Sequence, residues 1–301
     1  MKLTILGCYS ATPRINTNPT SQVLEIRNHI FLIDCGEGTQ VQLRKNKVKF
    51  NRIKHVFISH LHGDHYFGLV GLISTFRLLT RETDLHIYGP TGLKEVITLQ
   101  MKLAGSWTNY RLIFHELSSK ESELIFEDDK VEVYTIPLDH RVYTNGFLFK
   151  EKLGERRLNI GAVEDAHIDQ AYYRKLKQGF DVENEQGTLI KNDEVTLDAK
   201  PSKSYAFCSD TAYCEAIVPI IKDVNLLYHE STFLEQLAHL AKKTKHSTAK
   251  EAASIAKLAN VDTLMLGHFS TRYDDLSSFM KESNEVFDNV ILAEEGKVFE
   301  L

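Results

Sequence analysis

The sequence is short of several features that would take it out of the ordinary globular class. No apolar run reaches the roughly 18 residues that a membrane-spanning helix needs. Prolines number only six, which argues against a disordered or fibrous chain. Cysteine is scarce too: Cys8, Cys35, Cys208 and Cys214 form no CxxC pair and no closely spaced framework. They read as free thiols in a reducing compartment, and they argue against a cysteine-based zinc site. Positive charge is not in excess either. A net charge of −5 opposes the approach of a phosphate backbone, so any nucleic-acid binding has to rest on local patches. The first residues, MKLTILGCYS, pass into an apparent strand without a signal-peptide cleavage pattern. A cytoplasmic protein with no membrane partner is therefore expected.

What is present is a globular composition, 43% hydrophobic and 26% charged over 301 residues. That length can bury a sizeable core and is near the upper end for one domain. Strands are expected at 2–7, 22–26, 30–34, 55–59, 85–88, 131–136 and 145–150, with helices at 38–46, 67–80 and 92–104. From about 151 to 200 the character changes: charged residues dominate and apolar ones are sparse and poorly periodic. This stretch reads as an insertion projecting from the domain, without a core of its own. Alternation resumes with strands at 204–208, 225–228, 263–267 and 289–292 and helices at 248–259 and 275–284. Helices outside two packed sheets fit this order.

The strongest chemical signal is His60-Leu61-His62-Gly63-Asp64-His65. Four potential ligands fall within six residues directly after an apolar strand, with Gly63 expected to permit a tight path. Imidazole and carboxylate are suitable ligands for zinc, and the alternate spacing suits two metals better than one. A polar surface turn would explain a lone histidine, but not this set. One loop cannot close two metal sites, so further ligands must come from elsewhere. His140, Asp210 and His268 each sit at the end of an expected strand, where strand ends on one edge of a sandwich converge.

HLHGDH followed by separate His, Asp and His positions resembles the metallo-β-lactamase superfamily. The resemblance implies a four-layer αββα sandwich of the α/β class, with an arm inserted at 151–200. It implies two zinc ions per subunit: His60, His62 and His140 on one, Asp64, His65 and His268 on the other, and Asp210 bridging. Such a pair activates water and clamps an in-line displacement at phosphorus. Within the superfamily, six further segments resemble ribonuclease Z, the tRNA 3′ endonuclease. These are Asp34-Cys35-Gly36-Glu37-Gly38-Thr39-Gln40, Gly105-Ser106-Trp107-Thr108, Pro137-Leu138-Asp139-His140-Arg141, His229-Glu230-Ser231-Thr232-Phe233, His246-Ser247-Thr248-Ala249 and His268-Phe269-Ser270-Thr271-Arg272-Tyr273.

That resemblance implies removal of the 3′ trailer from precursor tRNA, leaving a 3′-hydroxyl. Asp64 is then the general base and His246 the proton donor to the leaving oxygen, with Glu230 fixing its tautomer. From the residues alone, His246 would read as a surface histidine in a lysine-rich loop. Two basic runs could meet RNA: 44–54, and Lys242, Lys243, Lys245 and Lys250 around His246. A solvated helix face would also explain such runs. The segment 173–179, with Arg174, Lys175 and Lys177, looks like part of the arm that grips tRNA, and the family acts as a homodimer. Where that arm usually carries a glycine-proline motif, this chain reads His167-Ile168-Asp169-Gln170. The alternatives are a general phosphodiesterase of the same superfamily and a metal-stabilised RNA-binding scaffold without activity.

Overall fold

A computed structural model describes residues 1–301, which divide into two compact units. The first comprises Met1–Phe126, Val133–Phe149 and Lys203–Leu301. Its alternating apolar segments form two seven-stranded sheets. In one, the spatial order is Val298–Glu300, Lys2–Gly7, Ser21–Ile26, His29–Ile33, Ile53–Phe57, Leu85–Pro90 and Leu112–Leu117. In the other it is Val290–Leu292, Thr263–Gly267, Leu226–Glu230, Ser204–Cys208, Asn145–Glu151, Val131–Pro137 and Leu124–Glu127. Three edge strands, Leu112–Leu117, Leu124–Glu127 and Val298–Glu300, escape the sequence reading, since all are half exposed and carry little alternation.

Parallel pairing decides where the site lies. His29–Ile33, Ile53–Phe57 and Leu85–Pro90 run parallel, as do Ser204–Cys208, Leu226–Glu230 and Thr263–Gly267. Parallel strands present all their C-terminal ends at one edge, the usual place for a binding site in such sheets. Asp34, His60, Asp210, Glu230 and His268 all lie at, or within three residues of, such an end.

The sheets face each other through aromatic rings. Phe57 meets Phe147 and Phe149 at centroid distances of 5.3 Å each, and Phe31 meets Phe149 at 5.4 Å. Each fully buried ring contributes roughly 1.5–3 kcal/mol by leaving water. On the outer face of the first sheet, helices Gly68–Leu78 and Leu93–Leu103 bury Leu69, Leu72, Ile73, Phe76, Ile97 and Met101. Helix Ala249–Leu258 lies against the second sheet through its alanine-rich side. The order helix, sheet, sheet, helix is the four-layer αββα sandwich. No helix is long and apolar enough to cross a membrane.

A row of histidines crosses the inner face of the first sheet. His55 is buried, its Nδ1 has no hydrogen-bond partner, and its ring lies 5.1 Å from His86 and 4.7 Å from Phe126. Burial, followed by His86, His29, His115 and Lys54, pushes its pKa down to about 3. The unfolded chain takes up this proton near the ordinary value of about 6.5, whereas the folded chain excludes it until about 3. The stability from this group is therefore complete above about pH 6.5 and falls by about 1.4 kcal/mol per unit as pH drops towards 3. His55→Phe is expected to flatten that slope. Urea unfolding at pH 7 and pH 4.5 should show a drop in stability smaller by about 2 kcal/mol for the variant. Equal drops would refute the assignment.

The second unit comprises Glu127–Glu132 and Lys150–Ser202. Contrary to the expectation of a coreless insertion, it has its own small core of Val163, Ile168, Leu176, Val182 and Val195. Helix Ile160–Asp165 is capped by the Asn159 side chain, which accepts from the Ala162 amide. It is closed at its far end by His167, which takes a φ of 52°. The His167 amide donates to the Glu164 carbonyl and the Ile168 amide to the Val163 carbonyl, the helix stop at which glycine is usual. A side chain in that left-handed position costs roughly 1 kcal/mol.

Candidate metal centre

Ile53–Phe57 delivers His60 and His62 at its C-terminal end, and the short helix Gly63–Tyr66 then turns Asp64 and His65 inward. Gly63 lies tight against the exposed Phe67 ring, which a larger residue would have to displace. A Cβ there would come within 2.1 Å of the Phe67 ring, and the residue does not use a left-handed φ. His140, Asp210 and His268 arrive from the other sheet. The seven residues fall into two groups, His60, His62, His140 and Asp210, and Asp64, His65 and His268, with ligand atoms within 4.8 Å of one another inside each group.

The protonation pattern tests whether a cation fits. Asp34 accepts from the Ser59 amide at 2.7 Å and the Ser59 hydroxyl at 2.9 Å, so Ser59 Oγ can in turn accept His60 Nδ1–H at 3.0 Å. His140 Nδ1–H donates to the Lys245 carbonyl at 2.7 Å. The Nε2 lone pairs of His60 and His140 therefore both face His62 Nδ1, at 2.9 and 3.3 Å. One imidazole proton cannot satisfy both, and a divalent cation can. In the second group His65 Nδ1–H donates to Asp34 at 2.7 Å and His268 Nδ1–H to Thr232 Oγ1 at 2.9 Å. Both Nε2 atoms are buried without a hydrogen-bond partner. Asp210 addresses both groups. Its Oδ1 lies 3.1 Å from His268 and 3.4 Å from His65, and its Oδ2 lies 3.6 Å from His60 and 3.8 Å from His140.

Charge is arranged to suit. Burial opposes ionisation of Asp210, but His268, His65 and His60 outweigh it and hold the carboxyl well below its usual range. At Asp64 burial again opposes ionisation, and the neighbouring His65 and His268 rings outweigh it. Burial and His65 keep His60 neutral, the form that ligates a metal.

His246 stands beside this cluster. Helix Ala238–Thr244 stops sharply at Lys245, which takes a φ of 59°. The His246 amide closes the stop on the Ala241 carbonyl at 2.9 Å. The following loop is pinned by a capping box, with Thr248 and Glu251 each accepting from the other's amide. His246 Nδ1–H donates to Glu230 Oε1 at 2.7 Å. Burial pulls its pKa down, but the Glu230 carboxylate and that hydrogen bond raise it to about 9. Glu230 is wholly buried and stays ionised through His246 and its hydrogen bond.

The basic runs are placed differently from their sequence positions. Phe50–Arg52 precedes Ile53–Phe57, so the 44–54 run lies at the other end of that strand from His60. Lys245 Nζ pairs with Asp139 at 2.7 Å, and Lys250 Nζ lies 3.7 Å from Glu285. Half of the lysine cluster around His246 is thus neutralised. Arg174, Lys175 and Lys177 belong to the second unit, exposed on helix Tyr173–Lys177 around the buried Leu176. Asp34, Thr232, Ser59 and the Lys245 carbonyl support the site without any ligand motif of their own in the sequence. Asp34 alone shared a readable signal with the ligands, its place just after a strand.

Comparison with known proteins bears on the same site. The family model described as Anti-Pycsar protein Apyc1 matches residues 1–283. Ribonuclease Z of Bacteroides fragilis is 45% identical over 295 residues, covering 98% of this chain and 97% of that one. Ribonuclease Z of Cytophaga hutchinsonii is 46% identical over 301 residues, covering 99% and 95%. Among solved structures, the short form of human tRNase Z superposes with a TM-score of 0.72 at 27% identity, covering 100% and 99%. A metallo-β-lactamase fold protein of Bacillus subtilis, 19% identical with a TM-score of 0.69 over 99% and 98%, shares the fold. With its two sheets, its paired His/Asp groups and this identity over almost its whole length, the chain belongs to the ribonuclease Z family of the metallo-β-lactamase fold.

Proposed function

We propose that the chain is an endoribonuclease that removes the 3′ trailer from precursor tRNA, using two zinc ions held by the seven His and Asp residues. The reading rests above all on the His246–Glu230 pair set beside two complete ligand groups. Zinc, when bound, supplies charge neutralisation at phosphorus and lowers the pKa of the attacking water. The chain's residues do the rest. Asp64 turns Oδ2 towards His65 and His268, at 3.2 and 3.8 Å, which leaves its other oxygen to receive the proton of the attacking water. As the bond from phosphorus to the tRNA 3′ oxygen breaks, His246 hands that oxygen a proton from Nε2. Glu230 holds the opposite nitrogen and keeps the ring charged at neutral pH. The tRNA keeps a 3′-hydroxyl and the trailer leaves with the phosphate.

In this reading the protein works in the cytoplasm as a homodimer, and Arg174, Lys175 and Lys177 contact tRNA phosphates. Such contacts position substrate without reading bases. The general phosphodiesterase reading is favoured by His167–Gln170, which replaces the arm's usual glycine-proline motif. Replacing Arg174, Lys175 and Lys177 together by alanine separates the two. Precursor-tRNA cleavage should fall by about tenfold or more in kcat/KM and lose part of its salt dependence. Hydrolysis of bis(p-nitrophenyl) phosphate should be unchanged. If wild type hydrolyses the ester but leaves an end-labelled precursor tRNA intact, the tRNA reading fails and the phosphodiesterase reading stands.

A further inference from the structure

Thr232 lies between the two halves of the site and belongs to neither the ligand set nor the proton-donating pair. It is buried. Its hydroxyl has one proton to give and two lone pairs to offer. The Glu230 carboxylate, 2.6 Å from Oγ1, can only accept, so the hydroxyl proton points there. The Thr232 amide donates to the same Oε2 at 3.0 Å. A lone pair of Oγ1 is then left for His268 Nδ1–H at 2.9 Å. The other carboxylate oxygen, Oε1, takes His246 Nδ1–H at 2.7 Å and the Thr211 amide at 2.9 Å. His246 Nδ1 also lies 3.3 Å from Thr232 Oγ1.

We infer that Thr232 is a positioning residue whose single hydroxyl orients both sides of the site at once. It fixes His268 with Nδ1 protonated and Nε2 bare towards the cation, and it fixes Glu230 so that Oε1 meets His246. The direction of the hydroxyl proton makes the two effects inseparable. Were the hydroxyl to turn towards His268, that imidazole would have to present Nδ1 bare and carry its proton on Nε2. Nε2 would then be lost as a ligand, and Glu230 would lose its shortest bond. The chain His268 Nδ1–H to Thr232 O–H to Glu230 therefore ties metal binding to the aim of the proton donor. The assignment rests on the two-metal phosphodiesterase reading above.

The test compares Thr232→Val, which keeps the shape but removes the hydroxyl, with Thr232→Ser, which keeps the hydroxyl. Zinc affinity is measured by competition with a chromophoric chelator, without any turnover. Partners that orient a metal ligand are typically worth about 10–100-fold in affinity. Thr232→Val should lose zinc affinity on that scale, and Thr232→Ser should stay close to wild type. At saturating zinc, the ratio of trailer cleavage to bis(p-nitrophenyl) phosphate hydrolysis should fall for valine and be restored by serine, because only the natural leaving oxygen needs a correctly aimed His246. Valine with wild-type affinity and ratio would overturn the inference, and so would serine failing as badly as valine. If valine disturbs the fold, seen as a shifted thermal unfolding of the metal-free protein, serine against alanine gives the same two comparisons. Should wild type cut no precursor tRNA, the proposed substrate fails. The chelator competition still decides the His268 half.

Discussion

Replacing His246 by alanine is expected to slow cleavage of precursor tRNA at the trailer junction by about 10²–10⁴-fold, the usual worth of a positioned acid. Hydrolysis of bis(p-nitrophenyl) phosphate should stay within about tenfold of wild type, because nitrophenolate departs without a proton. The contrast follows from the geometry. His246 touches the ligand cluster, with Nδ1 4.0 Å from Asp210 Oδ2, but that nitrogen is already bonded to Glu230 at 2.7 Å. That nitrogen is therefore held as a donor, and His246 serves as the acid in the proposed scheme although it also lies within ligand distance of Asp210 and His268. A variant that lost both activities equally, together with its metal, would make His246 a ligand and remove the acid from the scheme.

Asp210→Asn should have the broader effect. Asp210 turns one oxygen to each ligand group, and asparagine replaces one of them by an amide that can only donate. It also removes the buried charge that His268, His65 and His60 balance. Metal content per chain should fall, and both activities should drop by well over about 10²-fold, more than the loss of an orienting partner alone produces. The measurement is bound metal by atomic absorption, beside the two assays. An asparagine variant that keeps full metal content and ester hydrolysis would exclude a bridging role.

The candidate ligands were readable in the sequence because they follow short apolar runs, and such runs become strands. The parallel order then brings their ends together, something no local pattern states. What supports the ligands was far less legible. Thr232 and Ser59 are common residues whose roles depend on partners elsewhere in the chain, such as His268 and Asp34. Lys245 looked like part of a phosphate-binding cluster because Asp139, which neutralises it, is distant in sequence. The small core of the second unit was hidden for a related reason. Val163, Leu176 and Val182 come from three different short elements, so no periodicity of any one element records it.

The same parallel order has a consequence for the timing of activity in a newly made chain. His60 comes from the first quarter of the polypeptide and Asp210 and His268 from its last third, and long-range pairing of this kind closes slowly. Until Thr263–Gly267 docks beside Leu226–Glu230, His268 is absent from its group, and the left-handed turn that aims it has nothing to rest on. In the proposed reading, a nascent or truncated chain thus holds the HLHGDH loop with the second ligand group incomplete.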